Sequence, residues 1–352
     1  MPAPAPATTS LAYDPLKAAF YGRFVNAAYT MYDNHPDNPT PPTVKLPDKY
    51  NFVAWVQMRD FIFEEGDWTF YGMLAHNPGT DDYVLAIRGT SDPTEWWDDL
   101  TSMVPWQWEA FGGDVGYGFF RIYQTLRMIA PLKGQALTEA APAGQGESLE
   151  AAGSFADQVA EAVRRHAAET QPATAQATAV VQKTVTVVAH SLGSALATLY
   201  VADNSLTQKV KTPLLCTLAS PRVGDYTFAT TFDGLGIPSW RIVNELDVVP
   251  KLPIFPFWHV QTEHIYNSGS STVWSLGCWH SIDTYLNLLD PKQPLLKACV
   301  WPPKVAAAAA ASLRAQVRPA QLAGAASAAP AQKEIVVAAP AGTTINITIK
   351  VG

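Results

Sequence analysis

Apolar residues recur along this chain with two periods, and stretches of the two kinds alternate. Within residues 15–32, Phe20, Phe24, Ala27, Ala28 and Met31 fall at helical spacing and predict an amphipathic helix. Residues 34–48 are rich in Pro, Asn and Asp and read as loop. Asn51–Met58 and Trp68–Ala75 carry strand patterns. Tyr83-Val84-Leu85-Ala86-Ile87 is a near-continuous apolar run, as expected at the centre of a parallel sheet. Gly118–Ile129 predicts a helix, and Pro131–Gly153, which has no period, reads as a surface insertion. Helical spacing returns over Ser154–Glu169 through Phe155, Val159 and Val163, with Ser154 as N-cap. Residues 171–179 read as linker. Thr184–Val188 is a β-branched strand, followed by a helix over Ser194–Tyr200 built on small residues. Next come a strand at Leu214–Leu218, a loop at Ser220–Asp225, a short helix around Phe228 and a strand at Trp240–Val243. A long loop then runs to about His280, and a helix spans Ile282–Leu289.

Strands alternating with helices argue an α/β fold: a central, mostly parallel sheet with helices on both faces. The alternation stops near residue 300. The chain therefore divides into a flexible Pro/Ala-rich N-terminus (1–12), an α/β domain (13–300), an Ala/Pro-rich linker (301–333) and a short β-prone segment (334–352). In that last segment Ile335-Val336-Val337 and Ile345–Ile349 predict a hairpin around Pro340-Ala341-Gly342.

Composition narrows the function classes. A length of 352 residues supports one large core, and the formal charge of −7 gives no electrostatic reason to bind nucleic acid or an anionic membrane. The three cysteines are too few and too scattered for a disulfide framework or a zinc site. Cys216 reads as a buried thiol, and a Cys278–Cys299 bridge is left open. No stretch suits a transmembrane span. The N-terminus lacks the basic residues and apolar core of a signal peptide, so the reading is a soluble protein, either cytoplasmic or exported by a non-classical route.

The candidate chemistry centres on Ala189-His190-Ser191-Leu192-Gly193, which joins a buried strand to a small-residue helix. A serine on such a turn is lifted off the sheet edge beside the free N–H groups of a helix start, the arrangement of a nucleophile. Serine needs a general base, and the base needs an acid to fix its tautomer. Asp225, Asp233, Glu245 and Asp247 are candidate acids, and Asp247 stands just after a strand, at the sheet edge. His259, His264 and His280 lie downstream, with His264 and His280 as close rivals on spacing alone. An oxyanion site needs two donors: the backbone N–H of Leu192, and Thr90 from the loop after the strand ending at Ile87. Between Ser91 and Phe111, Trp96, Trp97, Met103, Val104, Trp106, Trp108 and Phe111 alternate with acidic residues. That pattern reads as a lid-like segment able to touch substrate, with Trp96, Trp97 and Trp106 its candidates.

Over residues 15–292 these blocks, taken in order, resemble the class 3 lipases, a family of α/β-hydrolases that includes the fungal triacylglycerol lipases. Val84–Thr90 resembles the oxyanion strand, and Glu95–Leu100 the lid region. Val115–Phe119 resembles the family's Gly-Phe helix start, with Tyr117 where histidine is common. The elbow matches except that Ala189 stands where glycine is usual. Ser220–Asp225, Asp247–Pro253 and His280–Leu286 resemble the remaining family blocks, and the last favours His280 over His264. The resemblance implies a lipase that cleaves acylglycerol esters with a Ser191–His280–Asp247 triad, through an acyl-enzyme, and requires no metal or other cofactor. Some relatives instead take soluble, phospholipid or aromatic esters. An inactive scaffold that binds a lipid or protein partner is the alternative from another class. The expected partner is a lipid or other ester substrate, met through transient interfacial contact.

Overall fold

The computed structural model describes residues 11–59, 67–91, 101, 103–135, 137, 146–170 and 182–301, and the strand backbones 334–338 and 344–348. The chain falls into two compact units, Met1–Trp301 and Pro302–Gly352.

The strands of the first unit are Asn51–Arg59 (β1), Trp68–Asn77 (β2), Asp82–Ile87 (β3), Pro105–Gln107 (β4), Asp114–Gly116 (β5), Arg127–Pro131 (β6) and Gly146–Ser148 (β7). They continue with Val185–His190 (β8), Leu215–Leu218 (β9), Gly224–Asp225 (β10), Ser239–Asn244 (β11), Phe257–Trp258 (β12) and Glu263–Tyr266 (β13). Its helices are Pro15–Asn34 (α1), Tyr117–Tyr123 (α2), Phe155–Thr170 (α3), Leu192–Thr207 (α4), Tyr226–Gly234 (α5), Leu276–His280 (α6) and Ile282–Leu289 (α7).

The main sheet has the order β13-β11-β9-β8-β3-β2-β1-β6-β7. Pairing is parallel from β3 through β8, β9 and β11 to β13, and antiparallel from β3 through β2, β1 and β6 to β7. The sheet is thus mixed rather than mostly parallel. The cause is local: β2 and β3 are joined by a hairpin turn, and a connection that short allows only antiparallel neighbours. Side chains alternate between faces, as strand geometry requires. Val56, Leu74, Leu85 and Val187 pack with α2, α3 and α4, whereas Trp55, Met73, Ala86 and Val188 pack with α1 and α7. The first helix starts at Asp14, whose carboxylate accepts from the N–H groups of Leu16 and Lys17, with Pro15 at the first helical position. Its inner face buries Phe24, Val25 and Met31, each contributing roughly 1.5–3 kcal/mol relative to exposure.

Three expectations need correction. The helix predicted over Gly118–Ile129 stops at Tyr123, and Arg127–Pro131 is instead a strand between β1 and β7, where pairing buries Met128 and Ile129. The stretch Pro131–Gly153 is not wholly irregular: Gly146–Ser148 pairs with β6, and Leu149 is buried beneath it. The long loop before His280 contains β12, which joins a four-stranded sheet β12-β10-β5-β4, and β13, a parallel edge strand. With Glu263 and His264 in four residues, β13 is too short and polar to announce itself. Cys278 and Cys299 form a disulfide, and Cys216 is a free, buried thiol.

In the second unit Glu334–Ala338 (β14) pairs antiparallel with Thr344–Thr348 (β15), Val336 opposite Asn346. The turn Pro340-Ala341-Gly342 lies outside the described residues. Among the described residues no helix is long and apolar enough to cross a membrane.

Candidate active site

The strand β8 is buried along its whole length, and the chain turns into α4 through Ser191. There φ is 56° and ψ −131°, a conformation an L-residue adopts only when its surroundings enforce it. The surroundings are identifiable. The N–H of Ser191 donates to Leu218 O at 3.0 Å, and the N–H of Ser194 donates to Ser191 O at 2.8 Å. Gly193 permits the tight approach of α4 to the end of β3. A Cβ there would stand 2.3 Å from Arg88 O and 2.5 Å from Ile87 O, both backbone atoms. Ala189, by contrast, is accommodated as a fully buried residue of the strand.

Three distant segments meet at this serine. His280, the last residue of α6, lies with its Nε2 2.7 Å from Ser191 Oγ and its Nδ1 2.7 Å from Asp247 Oδ2. Asp247 follows β11 in a turn closed by its own N–H on Asn244 O at 2.9 Å. Its Oδ1 accepts from the N–H of Val249 at 3.0 Å, and its Oδ2 also accepts from the Tyr285 hydroxyl at 2.8 Å. With Asp247 Oδ2 as the acceptor facing it, Nδ1 carries the proton, and Nε2 is left to accept from the serine. Burial, with Asp247 beside it, pushes the Tyr285 hydroxyl well above the usual phenol range, so it remains a donor. The same hydroxyl accepts from the N–H of Asn244 at 3.0 Å. Ser191, Asp247 and His280 are all buried.

A second polar chain runs behind the first, and the sequence reading passed over it. The N–H of Gly89 donates to the Tyr29 hydroxyl at 2.8 Å, which lies 2.9 Å from His190 Nδ1, while His190 Nε2 lies 2.8 Å from His280 O. Burial holds the His190 imidazole well below its ordinary pKa, and the neighbouring His280 adds to the shift. His190 is therefore neutral. It donates through Nε2–H to the carbonyl and accepts from Tyr29 at Nδ1. The loop after β3, α1, the Ser191 turn and the backbone of His280 are thus tied by one neutral imidazole. Its only signal in the sequence was the position of His190 inside the elbow. Tyr29 gave none, because its partner is 161 residues away.

Thr90 ends this loop, half-buried, beside the serine. A Cβ on its neighbour Gly89 would fall 2.6 Å from Ser191 Cβ. Leu192 is the first residue of α4, where the helical ladder offers its N–H no partner. The loop is anchored by Arg88, which is buried. Its guanidinium donates to Phe70 O and Gly89 O and lies 3.7 Å from the centre of the Tyr32 ring.

The rival candidates have other tasks. His264 lies in β13, stacked at 3.5 Å on Tyr13, and His259 Nε2 pairs with Pro250 O. Asp225 caps α5 by accepting from the N–H of Phe228, Asp233 accepts from the N–H of Gln261, and Glu245 from Asn267. Trp106 is on β4, exposed, with its ring 5.2 Å from that of Tyr117, and Trp108 and Phe111 belong to the core. Trp96 and Trp97 lie outside the described residues. No group of His, Cys, Asp or Glu arranged to hold a metal ion occurs among the described residues.

The model of the family "Lipase (class 3)" matches residues 84–257, from β3 through the Ser191 turn and Asp247. That segment belongs to the class 3 lipase family. Within it, the chain is similar to phospholipase A1-II 4 of Oryza sativa subsp. japonica, at 29% identity over 249 residues, or 63% of this chain and 55% of that one. It is similar to a lipase of Rhizopus niveus at 35% identity over 118 residues, 30% of each chain. Among solved structures, the Rhizomucor miehei lipase propeptide complex aligns with TM-score 0.49 and 22% identity, covering 78% of each chain. The chain spans about half the length of the rice relative.

Proposed function

We propose that this protein is a carboxylic-ester hydrolase that cleaves acylglycerol esters through an acyl-enzyme on Ser191. The single observation that carries the reading is the unbroken hydrogen-bond relay from Asp247 through His280 to Ser191. In this mechanism Ser191 Oγ attacks the ester carbonyl as His280 Nε2 takes its proton. The carbonyl oxygen becomes an oxyanion held by the N–H of Leu192 and by Thr90, and losing one such donor costs about 3 kcal/mol of transition-state stabilisation. His280 then protonates the departing alcohol, and in the second half it activates the water that releases the acid. Throughout, Asp247 stabilises the imidazolium without taking its proton.

Apolar side chains flanking the site support a lipid substrate. The loop after Asp247 exposes Ile254 and Phe255, the latter 85% accessible, and the approach to His280 exposes Trp274. Arg222 braces that loop through the carbonyls of Lys251 and Pro253. The test compares wild type with Ser191→Ala on a chromogenic acyl ester, emulsified triacylglycerol and phosphatidylcholine vesicles. The expected result is a fall of roughly 10⁴-fold or more with the variant, since the triad acts as a unit. Equal rates would contradict the reading. The rice phospholipase relative is the reason for the phosphatidylcholine arm, and a higher rate there than on triacylglycerol would move the substrate to phospholipid.

A further inference from the structure

The helix that carries His280 cannot hold itself. With five residues, Leu276–His280, α6 is far shorter than a helix stable by its own hydrogen bonds. It is held from outside. The carbonyl of Cys278 accepts from Thr284 Oγ1 at 2.6 Å, that of Trp279 from Asn244 Nδ2 at 2.8 Å, and that of His280 from His190 Nε2 at 2.8 Å. These bonds come from α7, β11 and β8, the sheet and the following helix. The other flank is different: Trp274, Ser275, Leu276 and Gly277 are all exposed. The covalent restraint there is the bond from Cys278 to Cys299, with both residues buried. Cys299 is itself placed by its carbonyl, which accepts from the N–H of Val273 at 3.0 Å, and by the bridge between Thr272 and Val300.

We propose that the Cys278–Cys299 disulfide is a positioning element for His280, keeping its imidazole in register with Ser191 and Asp247. The bond ends two residues before the histidine and joins α6 to the last described stretch of the first unit. A displacement near 1 Å at a catalytic group costs on the order of a hundredfold in rate. The two hydrophobic clusters that flank the sheet are formed without it, apart from α7, which is packed against α1. Opening the bond therefore loosens the histidine while the sheet stays assembled. The inference rests on the hydrolytic reading of Ser191. A dithiol reductant opens the bond by exchange: two electrons and two protons pass to the two sulfurs, and the reductant leaves as its own cyclic disulfide.

The experiment uses the full chain, oxidised or reduced with dithiothreitol, and measures kcat and KM on a soluble chromogenic acyl ester. Alkylation after denaturation counts thiols, which rise from Cys216 alone to all three cysteines on reduction. The expected result is a fall in kcat on the order of a hundredfold with KM little changed, a retained cooperative melt, and recovery on re-oxidation. The variant Cys278→Ser/Cys299→Ser is expected to show the same fall and no response to dithiothreitol. Unchanged kcat in the folded, fully reduced chain would overturn the proposal. So would loss of the cooperative melt on reduction, which would make the bond a staple of the whole fold. An oxidised chain with neither ester hydrolysis nor phosphonate labelling of Ser191 would instead overturn the hydrolytic reading beneath it.

Discussion

Ser191, Asp247 and His280 were legible in the sequence because each sits in a local signature: a strand-to-helix turn, a strand end, a block before a helix. Their neighbours were not. Tyr29 lies on α1 among residues that read as a helical face, and Tyr285 reads as core until its hydroxyl is seen on Asp247. Side-chain networks between residues far apart leave no periodicity. They do leave testable costs. Tyr29→Phe removes the acceptor of the Gly89 N–H and the donor to His190. An orphaned buried donor costs about 1–3 kcal/mol, readable as a lower urea midpoint, and the proposed hydrolysis should slow as the loop at Gly89 loosens beside Ser191. Gly193→Ala puts a methyl against two backbone carbonyls that cannot yield, so the variant should be destabilised by about 3 kcal/mol or more, measured by the same titration.

At the scale of elements, the sequence announced those that bury a continuous stripe or run: α1, α3, β3, β8 and α7. It hid those stabilised by pairing towards the two ends of the sheet, β6, β7 and β13, whose residues carry no alternation of their own. The packing of α3 on the sheet makes one further prediction. His166 on α3 lies 2.9 Å from the Tyr83 hydroxyl and beside His76, which contacts Asp81, itself paired with Lys183. Burial, then the neighbouring His76, lowers the His166 pKa from 6.5 to about 4. The unfolded chain therefore binds more protons than the folded one between those values. Stability is full above about pH 6.5 and declines as pH falls towards 4. Melting temperature measured across this window should drop, and His166→Gln should flatten the slope. An unchanged slope would show that the decline arises elsewhere.

For the whole molecule, the α/β architecture, two-faced packing and order of site residues were readable from the chain. The mixed pairing was not, because direction depends on connection lengths that pattern alone does not convey. All the residues of the relay lie within Met1–Trp301. Removing residues 304–352 is therefore expected to leave a cooperative melt and undiminished ester hydrolysis, and loss of either would assign the removed segment a part in the first unit's stability. The most direct measurement of the central claim, that His280 makes Ser191 a nucleophile, is covalent labelling by an organophosphonate, read by peptide mass. The account predicts a single adduct on Ser191 in the wild type, none in Ser191→Ala, and labelling slowed by orders of magnitude in His280→Ala. An unlabelled wild type, or equal labelling with and without the imidazole, would contradict it.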